Sequence, residues 1–377
     1  MKAVAGDPAR LGSRRTAYFA GIAIMLGTFG ALLLAEIVLR FLPVDGALMG
    51  DPVNEKNPVF HFAPDRELIW SRGWNFAIVN RVRVNNAGYV NDRDYDVADS
   101  RPLCAVVGDS YVEASMVPYA ATLHGRLAAA FAPTARVYTF AASGAPLSQY
   151  LVWAREARER WKAQALAIVV IGNDWDESLA SHNVRPGFHH YVEEPSGSLV
   201  LRRFDYEPSR RRELVRKSAL ARYLFFNLQL PERLRTLPAP PHGEEYVGNT
   251  RAAADATRLE QSKAVTRAFL RDLVAVAGWT PDRVVFVLDG IRYPTNSPTV
   301  LNSYFVQMRT YFLAEARLIG YEVVDMDPHF FASYQADRKR FEFPADNHWN
   351  AVGHGVAAEA LLNSRVFSDC RRGVTGR

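Results

Sequence analysis

A serine made nucleophilic by a histidine, itself held by a carboxylate, can pass an acyl group to water or to another alcohol. This chain supplies the parts of such a site at two distant places. Leu103-Cys104-Ala105-Val106-Val107 leads into Gly108-Asp109-Ser110-Tyr111, and Asp346-Asn347-His348-Trp349-Asn350 stands near the other end. The first run is apolar, β-branched and short, as a buried strand is. A serine at the carboxyl edge of such a strand, opening into a helix, lies where an open α/β sheet carries its chemistry. Either segment alone has an ordinary reading, since Gly-Asp-Ser occurs in turns and Asp-x-His on surfaces.

Two further segments change the odds. Val137-Tyr138-Thr139-Phe140 reads as a second strand running out into Ala141-Ala142-Ser143-Gly144. Ala165-Leu166-Ala167-Ile168-Val169-Val170-Ile171 reads as a third, ending in Gly172-Asn173-Asp174. Helical stretches separate the three, so the strands should run parallel and end along one rim. That rim carries Ser110, Gly144 and Asn173. The backbone N–H groups of Ser110 and Gly144, with the Asn173 side-chain amide, are the donor set an acyl-transfer oxyanion requires. Ser110 would attack the ester, His348 would take and return the proton, and Asp346 would hold the imidazole in the useful tautomer. Residues two apart do not share a helix face, so a loop or extended turn must present Asp346 and His348 together. Asp325 or Asp327, after the last strand, would be the substitutes.

In these residues the chain resembles the SGNH (GDSL-type) hydrolase superfamily. Its four marker positions match as Ser110 in Gly-Asp-Ser, Gly144, Asn173 in Gly-Asn-Asp, and His348. The segment Asn80-Arg81-Val82-Arg83-Val84-Asn85-Asn86-Ala87-Gly88-Tyr89 is similar to the strand before the nucleophile in many membrane-attached bacterial members. The likeness covers residues 80–180 and 280–365. The common pattern puts the aspartate three residues before the histidine, where this chain has Ala345; Asp346 lies two before it. That Asp-x-His-Trp-Asn spacing is similar to the alginate and peptidoglycan O-acetyltransferase-like branch.

The resemblance implies a three-layer α/β/α sandwich with a mostly parallel central sheet, flavodoxin-like in kind. It implies a serine-dependent hydrolase that removes O-acyl groups, acetyl first, from a carbohydrate, with no cofactor and no metal. A polysaccharide O-acetyltransferase using the same triad is the alternative. The non-enzyme alternative is a glycan-binding or scaffold subunit of an envelope polysaccharide machine. Partners on this reading are an acylated carbohydrate or small ester, and envelope polysaccharide biosynthesis proteins.

Ala17 to Ala35 is uncharged, mostly apolar and long enough to span a hydrocarbon core. Lys2, Arg10, Arg14 and Arg15 precede it, which predicts a cytoplasmic N-terminus and a single-pass inner-membrane protein with a periplasmic catalytic domain. A cleaved signal peptide is the alternative, with an apolar core longer than usual and no Ala-x-Ala site close behind. The expected organisation is a tail over 1–16, a transmembrane anchor over 17–40 and a linker packing on the domain over 41–78. The catalytic domain follows over 79–366, with an insert or cap at 181–248, and a basic tail over 367–377.

With 377 residues, 49% hydrophobic and 12% aromatic, the chain can bury a sizeable core. A formal charge of +5 suits an anionic membrane surface, an acidic polysaccharide or a merely solvated face. Without a basic-aromatic pattern or zinc spacing it does not point to nucleic acid. Cys104 reads as a small buried apolar residue and Cys370 lies in the basic tail; two cysteines without a framework argue against a disulfide. His189 and His190 lack carboxylate or cysteine partners at metal-ligand spacing. Asp109 reads as a brace for its turn and Asp174 as a helix N-cap candidate. Trp349, Asn350 and His354 read as packing around the histidine.

Overall fold

Five short runs of apolar, largely β-branched residues pair into one parallel sheet: β1 Leu103–Gly108, β2 Arg136–Ala141, β3 Ala165–Val170, β4 Val284–Leu288 and β5 Glu322–Asp325. Their order is β2-β1-β3-β4-β5, the doubly wound arrangement in which the winding reverses between β1 and β3. Register runs from Leu103 opposite Arg136 to Gly108 opposite Ala141. Cys104 stands opposite Ala165 on the other side of β1. This computed structural model describes residues 8–235, 245–344 and 346–374. Lys2 and Ala345, both part of the sequence reading, and the Pro238–Pro241 run within the expected insert lie outside the described residues.

The sheet is covered on both sides, and the strand period of two decides which residue faces which layer. The helices are α1 Pro8–Leu39, α2 Leu123–Phe131, α3 Leu147–Glu159, α4 Ala256–Ala275, α5 Tyr304–Ile319, α6 Met326–Asp337, α7 Ala351–Leu362 and α8 Arg365–Arg372. Leu103, Ala105, Val107, Leu166, Ile168 and Phe286 pack with α3, α4 and α5. Cys104, Val106, Ala167, Val169 and Val285 pack with α2, α6, α7 and α8. The result is the expected three-layer α/β/α sandwich with a parallel central sheet. Where the sequence suggests one helix from Val300 to Ile319, Ser303 interrupts it: its side chain accepts the Val306 N–H at 3.3 Å and starts α5 afresh.

The reading of two unpaired cysteines is overturned. Cys104 and Cys370 form a disulfide, with Cα atoms 6.1 Å apart across 266 residues of sequence. Cys104 belongs to the half of β1 that faces α8, and Cys370 is on the buried side of α8. Spacing along the chain carries no trace of that stacking.

The chain falls into two compact units. The larger holds residues 48–68, 80–208 and the described residues after 236, and contains the whole sheet. Within it Val53, Phe60 and Phe62 join the core on the α3 side, and the Trp153 indole N–H donates to the Phe60 carbonyl at 2.9 Å. The smaller unit combines the N-terminal stretch up to Ala47 with Ile69–Val79 and Ser209–Arg235. Its α1 includes Thr16–Leu39, 24 residues of mean hydropathy 2.3, long and apolar enough to cross a membrane. Near the end of that stretch the Glu36 carboxylate accepts from the Ser218 hydroxyl (2.8 Å) and from the N–H groups of Ala219 (3.1 Å) and Leu220 (2.8 Å). Behind it the buried Asp45 carboxylate accepts the N–H groups of Ala47 and Ser71.

The disulfide closes a loop of most of the chain, so its removal should cost about 2–5 kcal/mol. Urea unfolding with and without reductant measures this, and an unchanged midpoint would mean the bond does not constrain the fold.

Candidate active site

The three strand ends nearest the reversal of winding build the site. Gly108 closes β1, and Asp109 caps the short helix Ser110–Glu113 by accepting the Tyr111 N–H at 2.9 Å. This turn presents Ser110 at the rim. On the far side of the sequence, Glu342–Phe343 and Asp346–Trp349 pair antiparallel. On an extended strand, residues two apart point to the same side, so Asp346 and His348 converge without the loop or turn their spacing suggests.

The geometry of the trio is direct. The Ser110 hydroxyl lies 2.7 Å from His348 Nε2 and can donate to it. His348 Nδ1 is hydrogen-bonded to Asp346 Oδ1, which also accepts the His348 backbone N–H at 2.9 Å. Asp346 thereby fixes both the ring and the backbone that carries it. Asp325 and Asp327 are engaged elsewhere: both pair with Arg309, and Asp327 accepts the Ile291 N–H at 2.7 Å.

Gly144 follows β2 in a left-handed conformation (φ +76°), and a side chain there would overlap the Arg185 guanidinium. Its turn is anchored by a residue that motif reasoning passed over. The buried Glu113 carboxylate accepts the Ser143 N–H and the Ser115 hydroxyl, each at 2.6 Å, and so ties the Gly144 turn to the helix Ser110–Glu113. Burial pushes the Glu113 carboxyl above its ordinary range. Asn173 lies at the end of β3, and its Oδ1 accepts from Asn249 Nδ2 at 3.1 Å. The Asn173 side chain is also hydrogen-bonded to the Glu177 carboxylate.

Asn249 belongs to the hairpin Tyr246–Val247/Thr250–Arg251, and Gly248 and Asn249 both have positive φ. Such a pair of residues is the signature of a tight hairpin turn. Val247-Gly248-Asn249-Thr250 was therefore legible as a turn, though not as one touching the site. Gly172 N–H donates to the Gly248 carbonyl at 3.1 Å, and a Cβ on Gly172 would collide with that carbonyl. A cleft of about 580 Å³ opens beside Asn173, Glu177, Tyr246 and Asn249. A second, of about 340 Å³, opens beside Asn249, Asp346 and Asn347.

The histidine strand is held by a buried polar network. Arg292 donates to the Asn347 carbonyl (2.6 Å), the Tyr111 hydroxyl (2.9 Å) and Asp289 Oδ2 (2.8 Å). Tyr111 donates to the same Asn347 carbonyl at 2.9 Å, and the Trp349 indole N–H donates to Asp289 Oδ1 at 3.1 Å. Trp349 is fully buried, and Asn350 caps α7 by accepting the Val352 and Gly353 N–H groups. His354 accepts the Leu123 N–H at 3.2 Å, and burial lowers its pKa, so it stays neutral. His189 is bonded to Gln149, and burial lowers its pKa to about 4; His190 takes the Arg185 N–H. Asp174 caps no helix: it is fully buried and accepts the Ile171 N–H (2.8 Å) and the Tyr150 hydroxyl (3.0 Å).

Below the serine the fold concentrates carboxyl groups. Burial raises Asp109 to about 6, and it raises Asp174 well above the ordinary value, with Asp109 adding to that rise. Burial likewise raises Glu177, against the pull of Arg185 and the Asn173 amide.

No protein-family model matches the chain, and no curated protein matches it. Among solved structures it overlaps a member of the lipolytic protein G-D-S-L family from Veillonella parvula at 13% identity, over 70% of this chain and 97% of that one, with a TM-score of 0.34. An acetyl xylan esterase overlaps at 10% identity, over 68% and 96%, with a TM-score of 0.38. A two-domain esterase active on acetylated mannans overlaps at 10% identity, over 74% and 51%, with a TM-score of 0.35. Overlaps this loose assign no residue a role.

Asp109 has a folded pKa of about 6, above the value of about 3.9 in an unfolded chain. The folded state therefore holds this proton more tightly, a contribution complete below about pH 4 and lost as pH rises towards 6. Asp109→Asn should lose less stability than wild type between pH 4 and 7 in thermal melts. Parallel curves would show that Asp109 does not titrate in this window.

Proposed function

We propose that this protein is a serine esterase of the SGNH type, removing acyl groups from an O-acylated carbohydrate. The observation that carries the reading is the 2.7 Å approach of Ser110 Oγ to His348 Nε2, with Asp346 on the other ring nitrogen. Ser110 attacks the ester carbonyl as His348 accepts its proton, and the acyl-enzyme forms when His348 returns a proton to the leaving alcohol. Water then repeats the sequence and frees the acid. Asp346 stabilises the imidazolium in both halves. The N–H groups of Ser110 and Gly144 and the Asn173 amide receive the oxyanion, with Asn249 holding the oxygen of that amide. Each step uses side chains and backbone alone, without a cofactor.

Transfer of the acyl group to a sugar hydroxyl is the second reading, favoured by the Asp346-x-His348 spacing. It differs only in what resolves the acyl-enzyme, so product analysis with and without an acceptor sugar separates the two. We assign the protein to the inner membrane through α1, with the catalytic unit outside the cytoplasm. The Cys104–Cys370 disulfide supports that side of the membrane, since such bonds persist in oxidising compartments. The carbohydrate, and through it an envelope polysaccharide pathway, is the partner this assignment brings within reach.

A fluorophosphonate probe should label the wild-type protein and not Ser110→Ala, and that variant should lose at least about a thousandfold in turnover. Equal labelling of the two would remove the serine mechanism. Asn173→Ala should lower kcat by about a hundredfold with little change in KM, as loss of an oxyanion donor does. Asn249→Ala should lower kcat in the same sense and by less. A change confined to KM in both would assign these residues to substrate binding instead.

A further inference from the structure

We propose that the smaller unit is a membrane collar, with its helix Arg210–Lys217 lying on the anionic phospholipid headgroups of the leaflet where α1 ends. This rests on reading α1 as a membrane span.

The helix carries Arg210, Arg211, Arg212, Arg216 and Lys217 against a single acid, Glu213, and none of its residues is buried. Among the described residues no carboxylate pairs with Arg210, Arg211, Arg212 or Lys217. Four like charges that make no ion pair among the described residues are left for another surface to neutralise.

The attachment of this helix fixes which surface is within reach. Lys217 is followed by Ser218, whose hydroxyl donates to Glu36, and the next two backbone N–H groups donate to the same carboxylate. Glu36 is one turn from Leu39, the end of the apolar stretch. A carboxylate there is costly in hydrocarbon, and these three donors with Arg40 (2.9 Å) satisfy it at the boundary. The helix therefore begins its backward course at the membrane edge. Eight residues at 1.5 Å each make it about 12 Å long. Arg210, Arg211, Arg212 and Lys217 thus stay within roughly a headgroup layer and a Debye length of about 8 Å from the lipid charges. A helix so short has no room to carry them into bulk water.

Large apolar side chains in the same unit point to the same occupant. Phe41 is 85% exposed, Trp74 74% and Leu214, on the basic helix itself, 70%. Trp74 is fixed in place, its carbonyl accepting the Tyr223 hydroxyl at 2.7 Å. A solvated basic face would account for the charges but not for uncovered aromatic rings in the same unit. Cations with interspersed aromatic and aliphatic side chains are the composition of a lipid-interface helix.

The test uses the full chain in lipid nanodiscs, half of them containing phosphatidylglycerol and half phosphatidylcholine alone, read by backbone amide exchange. Exchange over residues 209–218 should be at least about tenfold slower in the anionic discs. The difference should vanish in 1 M salt and in the charge-reversed variant Arg210→Glu/Arg211→Glu/Arg212→Glu. Exchange in α4 of the larger unit serves as the control and should be the same in both discs. Equal exchange over 209–218 in both lipids would overturn the proposal while leaving the anchor intact. A chain that stays out of the discs would overturn the anchor, and the collar with it. Esterase labelling of Ser110 is independent of either outcome.

Discussion

The hydrogen bond between Ser110 and His348 joins residues 238 apart in sequence, and most of the larger unit can be understood as what holds its two ends still. One end is fixed by the sheet: β1 delivers Ser110 to the rim, and the Asp109 cap sets the turn. The other end is a four-residue strand paired to two residues of its neighbour, too little to be rigid by itself. Its rigidity comes from Tyr111 and Arg292, which both bond to the Asn347 carbonyl. Tyr111 is the residue after Ser110. The same side chain that leaves the serine's turn therefore grips the strand bearing the histidine, and an error in one position is carried to the other.

Polar groups without solvent recur throughout this design. Asp109, Glu113, Asp174 and Asp289 are all buried, and each has definite donors: a turn N–H, a serine hydroxyl, a tyrosine, an arginine or an indole. Burying carboxyl groups costs stability unless they are protonated or well bonded. Here the bonds they make are those that shape the rim loops. The fold gives up stability near neutral pH to hold three strand ends and one remote strand in fixed relation, as functional sites commonly do.

The stretch between β3 and β4 also reaches the rim. Its final hairpin supplies Gly248 and Asn249, which bond to Gly172 and Asn173 at the end of β3. The absence of a side chain at Gly172 makes this close approach possible. Two clefts open beside the hairpin, one towards Asn173 and one towards Asp346, so both are lined by hairpin residues as well as by those of the rim.

The amino-acid sequence by itself determined the α/β alternation, the three strands that lead to Ser110, Gly144 and Asn173, and the apolar N-terminal helix. Local physics suffices for these, because strand composition and helix-strand alternation force the carboxyl ends of parallel strands onto one rim. Tertiary structure alone decided the rest. That Asp346 and His348 sit on a strand depends on a partner, Glu342–Phe343, whose pairing no periodicity announces. That Cys104 meets Cys370 depends on which helix closes the second layer. That Glu113, Asn249 and Arg292 serve the site depends on hydrogen bonds spanning 30, 76 and 55 residues. Contacts over such separations arise from how layers stack, and a linear pattern of residue types holds no record of them.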